Sequence, residues 1–306
     1  MSGHTPTLRR MRYPAAATVV ALLRDLPPTL TVVELGESLL EAGSADQLWD
    51  QHVKGASGPD REFAARDIER WSTRGWEVVT VLDPGYPDQV RAARRPPALL
   101  MAEGQLVADD HAVAIVGSRR ASLTGIEFAR HVARGLVECD VTVVSGLAAG
   151  IDTAAMTAAV ESGGRVVAVV GTGLDRTYPA VNIGLRERIV ECGGLVLSQF
   201  LPGFPGARWA FPARNRTISA YSEASVIAEA SEQSGTRHLA AEAVETGRRL
   251  VLHRSVADGT TWGRALTSHP AVFVVDTAGE AIDQLERIAA ADEALRGRMA
   301  PAGTVW

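Results

Sequence analysis

From residue 111 onward, short apolar runs alternate with longer stretches that are apolar on one side only. Seven runs read as strands: "AVAIVG" (112–117), "VTVVSG" (141–146), "RVVAVVG" (165–171), "GLVLSQF" (194–200), "ASVIAEA" (224–230), "RLVLHR" (249–254) and "AVFVVDT" (271–277). Between most of them lie segments with helical spacing: "GIEFARHVARGLVEC", "IDTAAMTAAVES", "NIGLRERIVEC", "RTISAYSEA" and "GTRHLAAEAVETG". Continuous Val/Ile/Leu runs suit strands buried on both faces, and the alternation predicts an α/β fold with a parallel, doubly wound sheet. Right-handed crossovers then put helices on both of its faces.

The first 75 residues follow a different pattern. "AAATVVALLRDL", "VVELGESLLEAG", "SADQLWDQHV" and "DREFAARDIERWSTRG" each carry helical spacing, with punctuation at Pro27–Pro28 and in the Gly/Ser/Pro stretch at 55–59. We therefore expect a small N-terminal all-helical domain over 1–75. A connecting segment over 76–110 holds one strand, "WEVVTVLD", and a loop that Pro87, Pro96 and Pro97 should keep irregular. The α/β core runs over 111–289, and residues 290–306 are the end of a last helix and a tail.

Composition narrows the classes. No run of about 18 apolar residues exists to span a membrane, and the basic start of the chain leads into an apolar stretch broken by Arg24 and Asp25 without a convincing cleavage site. A cytoplasmic protein with no membrane partner is expected. Cys139 and Cys192 are the two cysteines, with no CxxC or His spacing for a disulfide framework or a metal, and ordinary packing is the expected role of both. A formal net charge of −5 argues against indiscriminate coating of nucleic acid but leaves room for a local basic groove.

Ligands of an open parallel sheet bind beyond the carboxyl ends of its strands. The first strand is followed by "GSRRASLTG", with Gly117, Ser118, Arg119 and Arg120. The second is followed by "SGLAAGID", with Ser145, Gly146, Gly150 and Asp152. After the third come Gly171, Gly173, Asp175, Tyr178 and Asn182. The fourth leads into "GFPGARWAFPARNR", which gathers Arg208, Arg214 and Arg216, the amide Asn215, and Trp209 and Phe211 as candidates for base stacking. The fifth leads to Glu229, Ser234, Gly235, Thr236 and Arg237. Glycines let backbone N–H groups approach a ligand, helix N-termini offer unpaired donors, and guanidinium forks suit phosphate oxygens. Any one of these loops is accounted for as a tight turn with a Ser/Thr cap, and several at one edge shift the balance to a phosphate site. Asp152 and Asp175 read as loop-fixing hydrogen bonders, and His238 as a phosphate contact or a cap. Arg248 and Arg249 begin a strand at the opposite edge and read as a solvated or helix C-terminal charge pair.

Familiar catalytic patterns are missing. There is no GxGxxG, no GxxxxGK[ST], no GxSxG and no HExxH. The sequence points to no catalytic set and no metal site.

Six segments, "VTVLDPGYPDQVRAARRPPALLMAEG", "AIVGSRRASLTG", "VVSGLAAGID", "AVVGTGLDRTYPAVN", "FPARNRTISAYSE" and "IAEASEQSG", resemble in order and spacing the DprA/Smf family of DNA-processing proteins over about residues 78–256. The resemblance implies an extended Rossmann domain that binds single-stranded DNA as a homodimer, protects it and loads a RecA-type recombinase during natural transformation, with no cofactor and no catalysis. It implies a DNA pocket made by Gly117, Ser118, Arg119, Ser145, Gly146, Asp152, Arg214, Asn215 and Arg216. Departures from the family pattern are Met156 in place of His, Gln199 in place of Glu, "SGTRHLAAEA" in place of SG-x-L-x-TA, and "HRSVADG" in place of a VPG-containing turn. Two alternative roles stay open: a component of a phage-defence or toxin–antitoxin system that restrains a toxin partner, and a Rossmann-type nucleotide sensor or nucleotide-processing enzyme.

Overall fold

The computed structural model describes residues 14–53 and 60–299. The basic start of the chain, the Gly/Ser/Pro stretch at 55–59 and the tail after 299 lie outside the described residues. The described residues begin with α1 (Pro14–Arg24), α2 (Leu35–Ala42), α3 (Ala45–His52) and α4 (Arg61–Ser72). Ser44 and Asp60 cap α3 and α4, their side chains accepting from the N–H groups of Gln47 and Phe63. Helix α1 packs on α3 and α4, and both α1 and α4 also contact the first strand.

Strand β1 (Trp76–Thr80) is followed by a short α5 (Asp88–Arg91) and then by β2 (Leu99–Gly104), in the segment expected to stay irregular. β2 pairs antiparallel with β1 on one side and with β6 on the other. Pro96 and Pro97 lie just before it and so cost the ladder no donor. Its sequence, Leu-Leu-Met-Ala-Glu-Gly, has no β-branched residue, which is why pattern alone misses it.

The seven expected strands are all present: β3 (Ala112–Gly117), β4 (Thr142–Ser145), β5 (Val166–Val170), β6 (Leu195–Ser198), β7 (Ala224–Glu229), β8 (Arg249–His253) and β9 (Val272–Val275). They pair in parallel, and with β1 and β2 form one nine-stranded sheet in the order β1-β2-β6-β5-β4-β3-β7-β8-β9. The connecting helices are α6 (Leu123–Glu138), α7 (Ile151–Glu161), α8 (Ile183–Glu191), α9 (Ala210–Tyr221) and α10 (Thr236–Glu245). Two short helices, α11 (Arg254–Gly259) and α12 (Thr261–Leu266), fill the β8–β9 connection, and α13 (Ala278–Met299) ends the described chain. Strands β4, β5 and β6 are buried along their whole length, as helices on both faces require.

Strand order reverses at β3: chain-consecutive β4 lies on one side and β7 on the other. That reversal opens the crevice of a doubly wound sheet at the carboxyl ends of β3 and β7. Both cysteines are exposed rather than packed, since each follows the last turn of its helix. Among the described residues, no helix is long and apolar enough to cross a membrane.

Candidate nucleic-acid interface

A cavity of about 400 Å³ lies at the strand-order reversal. Gly117, Ser118, Arg119 and Arg120 from the turn after β3 form one side, and Ser234, Gly235 and Thr236 ahead of α10 form another. Asp152 of α7 closes the floor, with Phe211, Pro212, Arg214 and Asn215 of α9 across from it.

The turn after β3 is held from three directions. Ser118 N–H donates to the Glu229 carbonyl at 2.8 Å, its own carbonyl accepts from Ile151 N–H at 3.1 Å, and its hydroxyl accepts from Arg120 N–H at 3.2 Å. The Glu229 carboxylate takes the Ser122 N–H and hydroxyl, so the end of β7 braces the start of α6. Gly150, at φ +79°, sits where a Cβ would overlap the Ser118 carbonyl, so only glycine lets α7 begin this close to the turn. Held in this way, the turn projects Arg119 and Arg120 into solvent. Neither guanidinium makes a hydrogen bond or ion pair among the described residues, and Arg119 lies 4.8 Å from the centre of the Phe211 ring.

Arg214 is the opposite case. It is 4% exposed and donates to the carbonyls of Gly146 and Val169, the latter at 2.8 Å, and through Nε to Asn215 Oδ1 at 3.1 Å. Asp152 is equally buried, accepting from the N–H groups of Gly146 at 3.1 Å and Ala148 at 3.3 Å. Burial pushes the Asp152 carboxyl above its ordinary range, against the pull of Arg214 and the two N–H donors. Burial likewise lowers Arg214 to about 10, with Asp152 pulling it back up. The pair builds the floor of the cavity. Leu147, between the two loop segments that Asp152 holds, is left-handed at φ +55° and fully buried, its carbonyl fixed by Asn182 Nδ2 at 2.9 Å.

Several expected contacts fall elsewhere. The Ser145 hydroxyl is fully buried and donates to the Ile115 carbonyl at 2.6 Å, and Gly146 is covered by the Arg214 guanidinium. Arg216 and Trp209 face a different cavity, across α9. Arg208 and Arg237 are exposed and outside the lining of the sheet-edge cavity. "FPARNR" is helical rather than a loop, because Pro212 falls in the first turn of α9, where its missing N–H has no intrahelical partner to lose. Arg248 is half-buried rather than solvated, donating to the Ser222 carbonyl at 2.6 Å and the Gln89 carbonyl at 3.1 Å. Asp175 fixes a loop, accepting from Gly203 N–H at 2.8 Å. Met156 is fully buried in α7 and so presents nothing to the cavity. Glu229 was legible in the sequence as a polar group at this edge, but its bracing of Ser122 was not, because that depends on the β3–β7 pairing.

The geometry defines a class: a doubly wound α/β protein with an arginine-lined cavity at its strand-order reversal. Residues 77–278 match the family described as DNA recombination-mediator protein A, and the chain belongs to that family, DprA/Smf. It is 40% identical over 186 residues to the DNA processing protein DprA of Streptococcus pneumoniae, covering 60% of this chain and 65% of that protein. It is 36% identical over 255 residues to a putative DprA of Mycobacterium tuberculosis, covering 79% of this chain and 64% of the relative. The chain thus spans just under two thirds of the length of these relatives. The X-ray structure of the S. pneumoniae protein superposes with a TM-score of 0.64 at 31% identity, over 88% of this chain and 94% of the other. A Helicobacter pylori DNA processing protein A, whose structure is described by its single-stranded DNA binding mode, shares the fold with a TM-score of 0.61 at 24% identity, over 69% of this chain and 96% of the other.

Proposed function

We propose that this protein binds single-stranded DNA at the sheet-edge cavity without chemically altering it, and that as a homodimer it protects the strand and delivers it to a RecA-type recombinase. The observation that carries the reading is the turn after β3. It holds two exposed arginines whose guanidinium groups make no hydrogen bond or ion pair among the described residues, one of them over an aromatic ring, at a cavity of nucleotide size on a net-acidic protein. Guanidinium groups there neutralise phosphates, and Phe211 offers a face to a base, worth about 1–3 kcal/mol for each stacked base. The family description as a recombination mediator and the single-stranded DNA bound by the H. pylori relative support the same reading.

The test is anisotropy of a labelled oligothymidylate with the full chain over a range of salt. Arg119→Ala should weaken binding about tenfold or more and lower the log–log salt slope by about 0.7, one phosphate's share on a single strand. Unchanged affinity and slope would sink the assignment. The cavity volume also suits a free nucleotide. Saturable binding of a mononucleotide with no oligonucleotide binding would favour the sensor reading instead.

A further inference from the structure

Helix α9 separates two cavities. At about 100° per residue, Phe211, Pro212, Arg214 and Asn215 turn toward the sheet edge, while Trp209, Ala213, Arg216 and Ala220 turn the other way. The far side opens on a groove of about 520 Å³, walled by α10, by the turn at 92–97 and by the tip of the helical unit at Val32 and Val33. It runs along α9, whose 12 residues span about 18 Å.

The groove is basic and underused. Arg94, Arg95 and Arg216 border it, and none of their guanidinium groups has a hydrogen bond or ion pair among the described residues. Arg248, at one end, is committed to backbone carbonyls, and Glu242 and Glu245 of α10 line the facing wall. Ser219 is 1% exposed, borders the groove, and its hydroxyl has no partner. Trp209, at the groove's edge, is 58% exposed, held edge-on to Phe200 at 5.7 Å and tilted against Phe204 at 5.5 Å. Gln199 presents a neutral amide whose Oε1 accepts from the Thr217 hydroxyl at 2.6 Å.

We propose that this groove is a second subsite for the same single strand, which leaves the sheet-edge cavity, passes the N-terminus of α9 and lays further phosphates and a base against Arg216, the Arg94–Arg95 pair and Trp209. The inference rests on the DNA-binding reading of the first cavity. Unpaired cations on two separate elements and an aromatic at the edge match a ligand whose phosphates and bases repeat along its length. A single phosphate would call for one convergent cluster. The guanidinium groups of Arg94, Arg95 and Arg216 suit contact with phosphate oxygens, and Glu242 and Glu245 keep the facing wall from holding them.

The experiment uses the full chain, a length series of labelled oligothymidylates, and three variants: Arg216→Ala, Gln199→Glu and Arg119→Ala. Gln199→Glu keeps an acceptor for the Thr217 hydroxyl, so it adds a charge to the groove with little disturbance of the fold. The wild-type protein should bind longer strands more tightly than the shortest one that binds. Arg216→Ala and Gln199→Glu should leave the shortest strand within about twofold yet weaken the longest about tenfold, and Arg216→Ala should reduce its salt slope by about 0.7. If both variants match wild type at every length while Arg119→Ala loses binding, the groove is not part of the path and the first cavity stands alone. If Arg119→Ala binds as wild type and the groove variants do not, DNA uses the groove only, and the two-cavity path is overturned. Competition by thymidine monophosphate that depends on Arg216 would give the groove to a free nucleotide and also overturn it.

Discussion

Arg214 and Arg216, two positions apart on α9, serve cavities on opposite sides of that helix. Arg214 is sealed in, its donors held by two backbone carbonyls and Asn215, with Asp152 as the nearby counter-charge. Arg216 is half-buried and has no hydrogen bond or ion pair among the described residues. Both stand in one short motif of like chemistry, yet a helical rotation of about 200° between them decides everything else. A guanidinium that is structural has its donors occupied; one available to a ligand keeps them open. The sheet-edge cavity uses both kinds, with Arg214 fixing the floor and Arg119 and Arg120 reaching out. The far groove is bordered mainly by the second kind.

The comparison breaks most visibly in stability. Arg214→Ala leaves Asp152 buried without its counter-charge and removes donors from two buried carbonyls, so denaturant unfolding should show a loss of about 3–5 kcal/mol. Arg216→Ala should stay within about 0.5 kcal/mol of wild type in the same measurement. Equal losses would erase the distinction drawn between the two side chains.

A gentler disturbance leaves both charges in place. A Cβ on Gly146 would overlap the Arg214 guanidinium, so Gly146→Ala must displace a buried group. The expected cost is about 1–3 kcal/mol, read in the same unfolding experiment, with weaker binding of the shortest oligonucleotide. Wild-type stability and binding would mean that Arg214 has room to move.

The smallest effect is a matter of sign. Burial raises the Asp152 carboxyl, so the folded protein holds that proton more tightly than the unfolded chain does. Its contribution to stability is then complete below the unfolded carboxylate value, about 3.9, and is lost as pH rises through the folded value. Subtracting the pH–Tm curve of Asp152→Asn from that of wild type should expose a component that falls with rising pH across this window. A component that rises instead would show that attraction to Arg214 outweighs burial.

The parallel sheet was legible because β3 to β9 are short apolar runs with no competing period, and burial on both faces leaves that signature. The edge was legible too, since Ser118, Arg119 and Arg120 follow a strand directly. Strand β2 was hidden by its unbranched residues and the prolines ahead of it, and the first turn of α9 by Pro212. What sequence could not give was orientation. Nothing in "FPARNR" says which arginine turns inward, because that depends on how α9 lies against β4 and β5. Ser145 reads as a ligand contact from its place at the end of a strand, yet the neighbouring strand's Ile115 carbonyl occupies its hydroxyl. The exposed Cys139 and Cys192 show the reverse, apolar-looking residues left outside because each helix ends just before them.

The turn at 92–97 is a wall of the groove, but it is fastened to the helical unit rather than to α9. The Glu37 carboxylate accepts the Arg95 N–H at 2.9 Å, and Gly36 sits so close to the Pro96 carbonyl that any side chain there would collide with it. The Tyr86 hydroxyl adds a tether to the Pro97 carbonyl at 2.8 Å. Helix α2 and the turn are therefore joined as one wall of the groove, with α9 as the other. The gauge of the groove is thus set by where the helical unit sits, whereas the sheet-edge cavity takes none of its lining from that unit.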